Sequence, residues 1–253
     1  MASSCPRRED LVKIRQAVRR YEENHANFGT VAKTIQGYFD SAPELRALVH
    51  STKARSKDVE HLEDKLRRKA ISARQENLSF DITAENLFER LGDLAGVRLL
   101  HLRPRQIEDI LPAVLLVLDR WSCEVVEAPF AYTWDEETKQ RFVEMGVKTE
   151  HNPELYTSVH LVAEMNKTHH WRCEIQIRTL MEEVWGEVSH AINYPHETKS
   201  IACKEQLRVL ARVASGGTRL VDSIFASLDE HQLRDAAAEG AAARTGKKRP
   251  KKK

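Results

Sequence analysis

Four short runs in the middle of the chain limit what it can fold into. Leu94 to Leu102, an apolar run with β-branched Val97 near its centre, and Glu124 to Phe130, Ser158 to Met165 and Trp171 to Ile177 are short for helices and read as strands. The last alternates strictly. In WRCEIQIRT, Ile175 and Ile177 fall on one side of an extended chain, and Glu174, Gln176 and Arg178 on the other. Between the first two runs, Ile107 to Leu118 has apolar residues at helical spacing, giving a strand, helix, strand order.

Helical periodicity occupies both flanks. Leu11, Ile14, Val18 and Tyr21, then Phe28, Val31, Ile35, Tyr38 and Phe39, recur at three- and four-residue steps, and Val59, Leu62 and Leu66 predict a second helix. After the strands, Leu180, Met181, Val184, Trp185, Val188, Ala191 and Ile192 form one apolar stripe, which Pro195 ends near Tyr194. A final helix uses Leu207, Leu210, Val213, Leu220, Ile224 and Leu228, a stripe that serves packing either within the chain or between chains. The expected class is α/β (α+β): a mixed sheet of about five strands flanked by helices.

At 253 residues the chain can bury a full core without disulfides or a structural metal. Cys5, Cys123, Cys173 and Cys203 are scattered, with no zinc-type spacing, and read as free thiols. Mean hydropathy is −0.53, and no run reaches the roughly 18 apolar residues of a membrane span. Arg7, Arg8, Glu9 and Asp10 interrupt the N-terminus too early for a secretory leader, so a cytoplasmic location is expected. The total charge is +2, but the last ten residues carry seven positive charges, so the first 243 sum to −5. The expected organisation is N-terminal helices over 1–49, a core over 50–195, a C-terminal helix over 196–235 and a disordered basic tail over 236–253. That tail is either an RNA contact or a solubilising end.

Candidate chemistry follows from the polar positions. Glu174, Gln176 and Arg178 share one strand face, and the same alternation groups Tyr156, Ser158 and His160 in LYTSVH. The plain alternative is a solvent-facing sheet with a satisfied tyrosine and histidine. Asp93 precedes a strand, and an acid there can share a magnesium ion with Glu174, because hard cations take oxygen ligands; it can equally cap a turn. A regular strand from Asp93 to Arg98 would point the two side chains to opposite faces, unless the stretch flanked by Gly92 and Gly96 is irregular. Lys53, Arg55, Lys57, Lys65, Arg67, Arg68 and Lys69 gather around a helix start, which suits a polyphosphate or a solvated, ion-paired helix face.

The motifs DLAGVR (93–98), YTSVH (156–160), EIQIRT (174–179), EEVWGEVSHAINY (182–194) and ARSKDVEHLEDKL (54–66) resemble the RelA/SpoT-type (p)ppGpp synthetase domain, small and toxic small alarmone synthetases included. The resemblance covers about residues 50 to 195. It implies a nucleotidyltransferase-like synthetase core that transfers the β,γ-pyrophosphate of ATP to the 3′-hydroxyl of GDP or GTP, with Mg2+ as cofactor. It assigns Arg55 and Arg98 to adenine stacking and Lys57 and Lys65 to the ATP phosphates. Asp93 and Glu174 become the magnesium ligands and catalytic acids, with Glu174 activating the attacking hydroxyl. Tyr156, His160 and Gln176 become the acceptor site.

The chain departs from the family at the acceptor. Synthetases carry a basic residue, an asparagine and a glycine directly before the stacking tyrosine, whereas this chain has Asn152, Pro153, Glu154, Leu155 and Tyr156. Glu154 adds negative charge where acceptor phosphates are expected; Lys148, Arg141 or Lys139 could offset it. Two other readings therefore stand beside the first. One is a toxin that pyrophosphorylates the 3′ end of tRNA, with an antitoxin partner; the other is a non-catalytic RNA-binding or regulatory relative. The resemblance also leaves room for a homo-oligomer. No His-Asp dipeptide occurs among the eleven histidines, which argues against alarmone hydrolysis by a His-Asp metal centre.

Overall fold

The computed structural model describes residues 5–153, 155, 157–193 and 197–246, with side chains through residue 239. Helix α1 (Arg8–Ser41) and the short α2 (Pro43–Arg46) lead into strand β1 (Ser51–Ser56) and helix α3 (Val59–Gln75). Next come α4 (Leu87–Arg90), β2 (Ala95–His101), a 3-10 turn at Pro104–Gln106, α5 (Ile107–Arg120) and β3 (Glu124–Thr133). The chain continues through α6 (Glu136–Glu144), β4 (Lys148–His151), β5 (Ser158–Asn166), β6 (Trp171–Thr179), α7 (Leu180–Asn193) and α8 (Ile201–Gly246). No helix among the described residues is long and apolar enough to cross a membrane.

The mixed sheet runs β1-β2-β6-β5-β3-β4. β2 pairs with β6, and β3 with β4, in parallel; the other neighbours are antiparallel. The sheet thus has six strands and helices on its flanks, an α+β arrangement. The strands beyond the four apolar runs are β1 and β4, whose sequences STKARS and KTEH are polar and lie at the two edges. An edge strand of that kind takes its conformation from pairing with its neighbour, not from a hydrophobic pattern.

One face of the sheet is the core. Val97, Leu99, Val159, Leu161, Ile175 and Ile177 are at most 1% exposed and pack against the apolar stripes of α1, α3 and α5. On α1 the stripe is Ile14, Ala17, Val18, Tyr21, Phe28, Val31, Ile35 and Phe39, at the spacing the sequence predicts. Each large side chain removed from water in this way contributes roughly 1.5–3 kcal/mol before the cost of ordering it. Tyr21 adds a polar tie: its hydroxyl lies 2.6 Å from the Lys57 carbonyl oxygen and 3.3 Å from that of Leu94. The backbone N–H of Lys57 also donates to Leu94 O at 2.9 Å.

Two stripes read from the sequence turn out differently. On α7, Val184 and Val188 are 54% and 37% exposed, whereas Glu183 is buried beside Trp185. The inward face of α7 meets cations of the sheet, and ion pairing there outweighs the apolar pattern. On α8, Leu207 is buried, but Val213, Leu220, Ile224 and Leu228 face outward. Its inner face is Leu207, Ala211, Ala214, Thr218 and Asp222, with Asp222 accepting from Arg105 and Arg141. Small residues let α8 approach closely, and the larger apolar side chains point away. The helix also runs on to Gly246, through an Ala-rich segment of high helix propensity that composition alone reads as tail.

Candidate active site

The second sheet face carries the chemistry. Strand register sets two rows across it: Lys53, Arg98, Gln176, His160 and Phe130 in one, and Arg55, Gly96, Glu174 and Val162 in the next. The alternation of β6 therefore does what the sequence predicts, with Ile175 and Ile177 in the core and Glu174 and Gln176 on the site face. Asp93 lies in the turn before β2, not within the strand, so strand parity places no constraint on it. Because β2 and β6 are parallel, Asp93 and the start of β6 sit at the same end of the sheet.

Asp93 is clamped by two lysines. Lys57 Nζ and Lys65 Nζ each donate to its Oδ2 at 2.7 Å. Lys57 comes from the end of β1 and Lys65 from one helical turn and a half inside α3, a helix started by Asp58, whose Oδ1 accepts from the N–H groups of Glu60 and His61. Burial works against ionisation of Asp93, but the two lysines hold its carboxyl down at about 2. Its other oxygen, Oδ1, is buried and has no hydrogen-bond partner. An orphaned anionic oxygen is costly unless something else occupies it. Lys57, Lys65, Arg68, Lys69, Ser72 and Asp93 line an open cleft of about 460 Å³.

Glu174 is held on both oxygens. His160 Nδ1 lies 3.0 Å from Oε1, and Gln176 Nε2 donates to Oε2 at 2.7 Å. Burial raises its proton affinity, the His160 hydrogen bond and charge lower it, and the nearby charge of Asp93 raises it again; the net direction is down. Glu174 is thus an ionised carboxylate at neutral pH, near enough to Asp93 to feel it. Among the described residues no group of three or more His, Cys, Asp or Glu side chains could enclose a metal. Two acids, one with a bare oxygen, fit a Mg2+ that keeps waters and takes further ligands from substrate phosphates.

Arg55 is exposed and lies along Gly96, where an added Cβ would meet its Nε at 3.5 Å. Arg98 is bonded at its edge: Nε donates to Gln176 Oε1 at 3.2 Å, and Nη1 to Glu183 at 3.2 Å and Glu187 at 2.5 Å. His160 and Gln176 face the site, where their partners are Glu174 and, at 5.2 Å and edge to face, the Tyr132 ring. Tyr156 and Glu154 lie outside the described residues; the flanking Thr157 is buried and bonded to Thr133 at 3.2 Å. Glu183 and Glu187 escaped the sequence reading because α7 was phased on its valines. The adjacent acids Glu182 and Glu183, four and five residues after Arg178, were the available signal. A more enclosed apolar cavity between α6, α7 and α8 has only about 50 Å³, well under the roughly 150 Å³ that takes a benzene ring.

The mixed sheet thus brings Asp93 and Glu174 to one end and a cationic cleft beside them. The chain belongs to the RelA/SpoT family: residues 54–199 match the family model described as the region found in RelA / SpoT proteins. It is similar to GTP pyrophosphokinase YwaC of Bacillus subtilis (strain 168), at 28% identity over 151 residues, or 58% of this chain and 59% of that protein. The chain thus matches about three fifths of that curated relative's length. Among solved structures it resembles a GTP pyrophosphokinase family protein from Streptococcus pneumoniae, with TM-score 0.54, 19% identity and coverage of 85% of this chain and 94% of that one. Small alarmone synthetase 1 from Bacillus subtilis gives TM-score 0.52 and 20% identity, covering 84% and 96%. These structures share the fold.

Proposed function

We propose that this chain is an ATP-dependent pyrophosphokinase that transfers the β,γ-pyrophosphate of ATP to the 3′-hydroxyl of a guanosine nucleotide, GDP or GTP, making (p)ppGpp. The observation that carries the reading is the pairing of Asp93, one oxygen clamped by Lys57 and Lys65 and the other bare, with an ionised Glu174 at the same end of the sheet. The GTP pyrophosphokinase named among its relatives supports it.

In this reading Arg55 and Arg98 stack on adenine, a task suited to planar guanidinium groups. Lys57, Lys65, Arg68 and Lys69 neutralise the triphosphate. Asp93 Oδ1 and Glu174 would hold Mg2+, which when bound supplies a Lewis acid for the phosphoryl oxygens. The acceptor 3′ oxygen bonds to the β phosphorus as the bridging oxygen leaves with AMP, and the hydroxyl proton passes to Glu174. His160 and Gln176 fix the Glu174 carboxylate so that one lone pair faces the hydroxyl, and Tyr156 stacks on the acceptor base.

A second reading has support of its own. Besides burial, Glu150, Glu174 and Glu127 all push the Tyr132 hydroxyl's pKa up, so the acceptor edge is acidic. Acidic walls repel a free nucleotide polyphosphate more than the 3′ end of a tRNA, whose nearest phosphates are singly charged. The test is incubation of the purified chain with ATP labelled in the γ position and, separately, GDP, GTP or deacylated tRNA. Label on GDP or GTP, abolished by Glu174→Gln, is the expected result. Label on tRNA alone overturns the nucleotide acceptor in favour of RNA, and label on none overturns both.

A further inference from the structure

One buried carboxylate gathers cations from three strands. Glu183 of α7 accepts from Lys53 of β1 at 2.8 Å, from Arg98 of β2 at 3.2 and 3.5 Å, and from Arg178 of β6. Its side chain is 6% exposed, and that of Arg178 is 3% exposed. The β6 to α7 junction has no loop: Thr179 ends the strand and Leu180 begins the helix. Thr179 and Glu182 cap each other reciprocally, at 2.7 Å from Thr179 N to Glu182 Oε2 and 3.2 Å from Glu182 N to Thr179 Oγ1. The start of α7 is therefore fixed relative to β6, and Glu183 with it. Burial opposes its ionisation, but the Lys53 hydrogen bond and the charges of Arg178, Arg98 and Lys53 hold the carboxyl well below its ordinary range.

Hydrogen bonds to a guanidinium lie in its plane. The bonds from Arg98 to Gln176 on one edge and to Glu183 and Glu187 on another therefore fix the plane of the group. An arginine that stacks on a base needs its plane set beforehand, since an immobilised long side chain otherwise costs affinity at the moment of binding.

We infer that Glu183 is a positioning residue for the donor base: it holds the Arg98 guanidinium in its stacking plane and ties that arginine, Lys53 and Arg178 to one carboxylate. This rests on the reading of ATP as donor. Glu183 touches no reacting atom; it acts through Arg98. Uniform binding of the donor is what it supplies, so its loss raises KM and leaves the chemical step alone.

The experiment is equilibrium titration of the full chain with a non-hydrolysable ATP analogue, alongside steady-state kinetics. For Glu183→Gln we expect the Kd for the analogue and the KM for ATP to rise about tenfold, with kcat within about twofold and the acceptor KM unchanged. Arg98→Ala alone is expected to match it, and the double variant to add less than the sum, the mark of one shared interaction. Unchanged analogue binding in Glu183→Gln, or fully additive effects, overturns the inference. A merely structural role would instead lower kcat and raise both KM values together with a fall in Tm. If Glu183→Gln does not fold, Glu187→Gln tests the same Nη1 contact from a half-exposed position: a Kd weaker by about two- to threefold is expected, and an unchanged Kd overturns the inference. A wild-type chain that binds no ATP analogue refutes the donor assignment itself, which separates the two failures.

Discussion

Replacing Asp93 by asparagine keeps the shape of the side chain and removes its charge, and the structure sets how much that should cost. In the folded chain the Asp93 carboxyl is held at about 2, against an ordinary 3.8. That difference corresponds to about 2 kcal/mol of folding stability at neutral pH. The side chain is 17% exposed, so solvent screens the pair only modestly. A carboxyl whose folded pKa is depressed contributes stability above its unfolded value and loses it as the pH falls toward the folded one. The contribution is therefore complete above about pH 5 and fades between about pH 4 and pH 2. Asparagine has no such dependence. Urea unfolding of both proteins at pH 7, 5, 4 and 3 should give a gap of about 2 kcal/mol that narrows by about half by pH 3. A gap that is absent at pH 7, or constant from pH 7 to pH 3, would refute the claim that Lys57 and Lys65 clamp an ionised Asp93.

Two further outcomes follow from α7. Burial pushes the Glu182 carboxyl up to about 7, so its folded state holds a proton that the unfolded chain releases near its ordinary value, and stability should fall as the pH rises from about 4.5 to 7. Glu182→Gln keeps the reciprocal cap and removes that loss, so its Tm should exceed the wild-type value at pH 8 and match it at pH 4; equal values at both would contradict the burial. Gly186→Ala places a Cβ 2.8 Å from the Nη1 of buried Arg178. Overpacking of about 1–3 kcal/mol should outweigh the roughly 1 kcal/mol gained in helix propensity. Calorimetry should show Tm lower by about 2–4 °C, and an alanine variant as stable as the parent would mean that Arg178 yields freely.

Periodicity was a good guide wherever one face of an element is apolar and buried. It located α1, α3 and α5 from their stripes, and the alternation of β6 placed Ile175 and Ile177 inside and Glu174 and Gln176 on the site. It could not find β1, because Lys53 and Arg55 alternate with Thr52 and Ala54 and the strand owes its existence to β2. It misjudged α7 and α8 for a shared reason: the inner surfaces those helices meet are charged or tightly spaced, so acids and small residues face inward where valine and leucine were expected. The family resemblance grouped Asp93, Glu174, Lys57 and Lys65, but not the bare oxygen on Asp93 or the bonds of Arg98 to Gln176, Glu183 and Glu187, which depend on rotamers and neighbours that no linear pattern records.

The Tyr21 hydroxyl has a consequence for where the working unit begins. Similarity to the family starts at residue 54, yet a phenol more than thirty positions upstream spans the carbonyls of Lys57 and Leu94, next door to both halves of the lysine–aspartate clamp. A fragment excised at the similarity boundary would lose that brace and lay bare Leu62, Leu66 and Leu94 together. The smallest piece able to keep its shape therefore includes the first helix, so trimming the gene to the recognisable region would cut away part of the scaffold beneath the site.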